Sequence, residues 1–142
     1  SAMAGIGACL TLLAAALVCA ATVQGSEYGP LVGAPVTINA DDNDEGLRKA
    51  LDFAMEQYNK ASNDRYSSRV VRIISAQKQI VAGVNYIMEV EIARTTCQKP
   101  AADLQNCALP SSPQLAKHTI CKFVVYTVPW LNKNELLKSE CH

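Results

Sequence analysis

Asp41 to Lys60 reads DDNDEGLRKALDFAMEQYNK, and within it Leu47, Ala50, Leu51, Ala54, Met55 and Tyr58 recur at steps of three and four. That spacing places them on one face of an amphipathic helix, which must cover an apolar surface elsewhere in the chain. Asp42, with Glu45 three residues on, has the form of a capping box, and acidic residues here suit the positive end of the helix dipole. Beyond Ser68 the period changes. Val70 to Val81 is rich in Val and Ile. From Val84 to Ala93, Val84, Tyr86, Met88, Val90 and Ile92 alternate with Asn85, Ile87, Glu89 and Glu91, as in a strand with one buried face. Ala82-Gly83 between them supplies the freedom of a tight hairpin. Further strands are predicted over His118 to Val128, where Pro129 ends the run, and over Glu135 to Cys141. Gln98 to Gln114, with Pro100, Pro110 and Pro113, reads as a loop. The predicted architecture is α+β: one long N-terminal α-helix packed across a twisted antiparallel β-sheet of about four to five strands.

The first part of the chain belongs to a different class of sequence. Ala8 to Ala21 is fourteen residues without a charge, and no Lys, Arg, Asp or Glu occurs before Glu27. The run is shorter than the roughly 20 apolar residues a membrane span needs. Residues 1–25 read as a secretory signal peptide cut before Ser26, with a cut after Ala21 as the rival. The basic n-region is missing, and Ser1-Ala2 ahead of Met3 reads as a cloning remnant. A single domain, residues 26–142, is then expected. Cleavage removes Cys9 and Cys19 and leaves Cys97, Cys107, Cys121 and Cys141. Four cysteines in a secreted chain imply two disulfides, with three connectivities open. Sequential pairing would close loops each worth roughly 3 kcal/mol of stability. A zinc site is disfavoured, since no C-x-x-C pair occurs and the only histidines are His118 and His142.

Thirteen Lys+Arg against thirteen Asp+Glu give a formal charge of zero, where a nucleic-acid binder would be basic. Catalytic arrangements are not visible either. Oxidised cysteines provide no thiolate, neither histidine has an obvious partner by spacing, and no Walker loop, G-x-G-x-x-G, H-E-x-x-H or G-x-S-x-G occurs. No cofactor is expected. The chain instead carries apolar residues where turns are predicted. These are Leu31-Val32-Gly33 between Pro30 and Pro35, Ile80-Val81-Ala82 at a hairpin, and Trp130 after Pro129. Apolar groups gathered at a surface mark an interaction site, and tryptophan is enriched among interface hot spots. The alternative is that Trp130 folds back onto the sheet and Ile80-Val81 are strand residues.

These same segments carry a resemblance to a known family. Gln79-Ile80-Val81-Ala82-Gly83 matches the Q-x-V-x-G loop of the cystatins, Pro129-Trp130 their second hairpin, and Leu31-Val32-Gly33 their N-terminal segment, all in the family's order. The similarity spans about residues 29 to 141 and is specific to secretory (type 2) members. It implies the disulfides Cys97–Cys107 and Cys121–Cys141 and a secreted, extracellular inhibitor of papain-like cysteine proteases, the cathepsins. It also implies a protease-binding wedge. Gln79, Ile80, Val81, Ala82 and Gly83 would cover the neighbourhood of the catalytic cysteine, and Pro129 and Trp130 would pack on the primed side. Leu31 and Val32 would fill non-primed pockets, with Gly33 turning the backbone away from attack. Ser62-Asn63-Asp64 matches the loop with which some secretory members inhibit legumain, although the triplet is also ordinary turn chemistry. A monomer is expected, with a domain-swapped dimer reachable by opening the Gln79 to Gly83 hairpin. The rival on the same scaffold is a non-inhibitory, cathelin-like precursor module. Such a module is expected to carry a further C-terminal peptide, whereas this sequence stops one residue after Cys141.

Overall fold

A computed structural model describes residues 33–39 and 42–142 of the chain. The chain divides into two units, Ser1–Gly33 and Ala34–His142, and all the secondary structure described lies in the second. Its strands are β1 (Val36–Thr37), β2 (Tyr66–Ile80), β3 (Val84–Gln98), β4 (Thr119–Val128) and β5 (Lys133–Cys141). They form one antiparallel sheet in the order β1-β2-β3-β4-β5. Helix α1 (Glu45–Ala61) covers one face, and a four-residue helix, α2 (Pro113–Ala116), sits in the connection before β4. The expected α+β architecture is the one observed.

The helix buries the stripe its spacing defines: Leu47, Ala50, Leu51, Ala54 and Met55 are all buried. They meet the inward positions of the sheet, Met88, Val90 and Ile92 from β3 and Cys121, Phe123 and Val125 from β4, each with almost no exposure. Tyr58 closes the far end of the contact with its ring edge-on to Phe123, centroids 6.3 Å apart. Burying an aliphatic or aromatic side chain of this size contributes roughly 1.5–3 kcal/mol. The helix–sheet layer is therefore the main source of the unit's stability.

The start of the helix corrects one expectation. The N-cap is Asp44, whose Oδ1 accepts the Leu47 N–H at 3.0 Å. Asp42 instead accepts the Asn39 N–H, and Glu45 pairs with Arg48 at 2.6 Å, so the capping box of Asp42 and Glu45 does not form. Asp44 also meets Lys78 of β2 at 3.2 Å, tying the cap to the sheet. Behind the cap, a side chain on Gly46 would collide with the Tyr86 hydroxyl.

β2 and β3 are longer than their apolar runs. β2 begins at Tyr66 because Asp64 turns the chain, its Oδ1 accepting the Tyr66 N–H at 3.0 Å. The buried polar residues at this end are satisfied: Ser68 N–H donates to Asn59 Oδ1 and Thr95 Oγ1 donates to the Ser67 carbonyl. The register shifts between Val70 and Arg72 and between Ile73 and Ser75, where extra residues bulge β2 against β3. Both disulfides are present as Cys97–Cys107 and Cys121–Cys141, with sequence separations of 10 and 20. The first fastens the 99–106 segment to the end of β3, and the second joins β4 to β5 at the end opposite their hairpin. His118 has a partner that its sequence neighbours do not disclose, Glu91 of β3, at 2.6 Å.

Candidate functional site

Two of the apolar segments singled out by sequence form the hairpin turns of the sheet. Gln79 to Gly83 is the β2–β3 hairpin, with Gln79 and Ile80 closing β2 and Val81-Ala82-Gly83 forming the turn. The Val81 N–H donates to the Gly83 carbonyl at 2.9 Å. Gly83 has a φ of +146°, which side-chain-bearing residues rarely adopt, and a Cβ there would lie 2.8 Å from the Thr127 carbonyl oxygen. Glycine is thus required twice, by the turn and by the approach of β4.

Pro129 and Trp130 open the β4–β5 hairpin, a 3₁₀ turn over Pro129–Leu131 closed by Asn132 at a φ of 51°. The Asn132 N–H donates back to the Pro129 carbonyl at 3.0 Å. Proline starts the turn with its φ already set and ends β4 without loss of a donor. Trp130 does not fold back onto the sheet: it is 70% exposed.

Register brings the two hairpins together. Val84, the first residue after the first turn, pairs with Thr127, and Val128 pairs with Lys133 across the second. Both turns therefore project from the same end of one sheet. The strand β1 runs antiparallel to β2, with Val36 opposite Lys78, so Ala34 and Pro35 enter at that same end. Ile80 is 58% exposed there, and Val36, Trp130 and Leu131 are exposed with it. Other exposed apolar side chains, among them Val71, Ile73, Ile74 and Leu137, lie along the strands. The hairpin end is a projecting edge rather than a pocket. A concavity of about 860 Å³ lies between α1 and residues 99–105, lined in part by Asp52, Glu56, Lys60 and Lys99, and neither Ile80, Trp130 nor Leu131 reaches it.

Of the N-terminal segment, Leu31 and Val32 lie outside the described residues, as do residues 1–25, and Gly33 is the last residue of the first unit. Two residues escaped the sequence reading. Leu131 adds a second exposed apolar side chain next to Trp130, an exposure that the sequence does not signal. Tyr126, on β4, donates its hydroxyl to the Ala82 carbonyl at 2.7 Å, a contact between residues 44 positions apart that no local pattern signals.

Ser62-Asn63-Asp64 follows α1 at the opposite end of β2. Ser62 caps the helix through its N–H to the Tyr58 carbonyl and accepts the Asp64 N–H on Oγ. Lys99 Nζ donates to the carbonyls of Asn59 and Ser62, both at 2.8 Å. Arg94 meets Asp64 at 2.9 Å and lies over the Tyr66 ring. Burial pushes the Asp64 carboxyl up, but the Tyr66 N–H and the Arg94 guanidinium outweigh it and hold the pKa below its ordinary value. Between these anchored neighbours Asn63 is exposed. Among the described residues no group of three or more His, Cys, Asp or Glu could hold a metal ion, and no helix is long and apolar enough to cross a membrane.

Residues 35–130 match the family described as Cystatin domain. The chain is 57% identical over 140 residues to Cystatin of Gallus gallus, covering 98% of this chain and 99% of that protein. It is 46% identical over 134 residues to Cystatin-C of Homo sapiens, covering 93% and 90%. Among solved structures, dimeric human cystatin F superposes with a TM-score of 0.70 at 37% identity, covering 78% of this chain and 86% of that one.

Proposed function

Since this chain belongs to the cystatin family, we propose that it is a secreted, reversible, tight-binding inhibitor of papain-like cysteine proteases, acting by occlusion and not as an enzyme. The observation that carries the reading is the exposure of Ile80 and Trp130 on two hairpins that the sheet register holds at one end. A protease of this class works in a groove, and a projecting apolar edge is complementary to a groove. Both hairpins are fixed before binding by their own hydrogen bonds, so little ordering cost is incurred when they dock. Gln79, Ile80, Val81, Ala82 and Gly83 then cover the neighbourhood of the catalytic cysteine, while Pro129 and Trp130 pack on the primed side. Leu31 and Val32 enter non-primed pockets. The direction of β1, which admits the chain at the hairpin end, favours that assignment, and Gly33 turns the backbone away from attack. The two disulfides fit an oxidising compartment, in keeping with removal of residues 1–25 on secretion. Active-site titration of papain tests the inhibitor reading, with one equivalent expected to abolish hydrolysis.

A second reading concerns Asn63, whose exposure between fixed neighbours suits presentation to an asparagine-specific protease. We infer that this loop inhibits legumain, independently of the papain-directed end. Asn63→Lys is expected to lose inhibition of legumain and retain inhibition of papain. Undiminished legumain inhibition by that variant removes Ser62, Asn63 and Asp64 from the site.

A further inference from the structure

We propose that Tyr126 is a positioning residue for the first hairpin, locking its tip to the strand that leads into the second. The inference deepens the inhibitor reading and rests on it. The hydroxyl of Tyr126 has one proton to donate, and it goes to the Ala82 carbonyl at 2.7 Å. The ring lies against Gly83, where a Cβ would stand 2.8 Å from Cε1 and 2.9 Å from the hydroxyl oxygen. The absence of a side chain at Gly83 therefore makes room for the tyrosine as well as for the turn. Three residues beyond Tyr126 the chain reaches Pro129. One side chain thus bridges the turn of the first hairpin to the base of the second, beyond what the backbone pairing of β3 with β4 achieves, because that pairing stops at Val84 opposite Thr127. Within the turn the backbone bond from Val81 to Gly83 spans Ala82 without using its carbonyl, and the tyrosine hydroxyl is what ties that carbonyl to the sheet.

A tip held in place binds without first being ordered, and a tip released must be ordered at the protease. The same bond opposes the extension of residues 79–83 into a continuous strand, the movement that a swapped dimer requires. The experiment compares Tyr126→Phe, which retains the ring and removes the hydroxyl, with the unaltered protein. Three quantities are measured: inhibition of papain, thermal midpoint, and amide hydrogen exchange at Val81, Gly83 and Val90. The expected result is roughly a 2- to 10-fold loss of affinity, the range set by one net hydrogen bond. Exchange should accelerate more at Val81 and Gly83 than at Val90, with a midpoint lowered by about a few degrees at most, as the loss of one exposed hydrogen bond requires. Undiminished affinity overturns the proposal. So does faster exchange that extends equally to Val90, since the tyrosine would then support the whole sheet. If the unaltered protein fails to inhibit papain, the inhibitor reading fails, while the exchange comparison still decides whether the hydroxyl locks the hairpin.

Discussion

Trp130 and Gly83 separate two kinds of requirement at single positions. Trp130 is 70% exposed and so contributes little to the stability of the unit alone. Trp130→Ala is expected to leave the thermal midpoint in place and to weaken papain binding by about 2 kcal/mol, roughly 30-fold. Most of the loss should be read as faster dissociation in a surface-binding measurement; a dissociation rate equal to that of the unaltered protein would falsify the placement of this hairpin in the wedge. Gly83 acts through the fold instead. Its φ of +146° and the Thr127 carbonyl oxygen 2.8 Å from a Cβ position penalise any side chain. Gly83→Ala is expected to cost about 1–3 kcal/mol in denaturant unfolding and to weaken inhibition as the hairpin shifts. Both residues were legible in the sequence, one as an isolated tryptophan after proline, the other as the glycine of a short turn. Tyr126 was not, because its role depends on a partner 44 residues away.

At the scale of elements, the apolar period of α1 and of β3 foretold which faces are buried, and Leu47 to Met55 and Val84 to Ile92 pack as their spacing demands. The boundaries were less visible. Asp41-Asp42-Asn43-Asp44 offers a capping side chain at every position; Asp44 is the cap, and it is also the one that meets Lys78 of β2. Tyr66 to Arg69 and Thr95 to Gln98 extend their strands through polar residues whose partners, Asn59 and Ser67 among them, come from elsewhere in the fold. Burial pushes the Asp44 carboxyl up, but the Leu47 N–H and the Lys78 ammonium hold its pKa below the ordinary value. The stability this confers is present above the unfolded carboxylate's pKa and is lost as the pH falls through the lower, folded one. Asn caps a helix about as well as Asp, so Asp44→Asn isolates the charge. It should cost about 0.3–1 kcal/mol at neutral pH. The difference from the unaltered protein should close as the pH falls below the ordinary carboxylate range. Denaturant unfolding at a series of pH values checks this, and a constant difference across the series would contradict the assignment.

Across the Ala34–His142 unit, the sheet has two structurally distinct ends. Its hairpin end displays Ile80, Trp130 and Leu131; its far end carries the exposed Asn63 on a loop braced by Arg94 and Lys99. The helix covers the sheet between these ends, the Cys121–Cys141 disulfide joins β4 to β5, and Cys97–Cys107 fastens the 99–106 segment to β3. Under the proposed inhibitor reading, the preformed edge at the hairpin end occupies the protease groove, a role that needs no catalytic residue of its own. The most direct test is titration of active papain with the purified, disulfide-bonded protein at concentrations well above the expected dissociation constant. Residual hydrolysis should fall linearly and reach zero at one equivalent, with activity recovering on dilution into excess substrate. Hydrolysis that persists with several equivalents present, or cleavage of the protein between residues 79 and 83 as an ordinary substrate, would contradict the account.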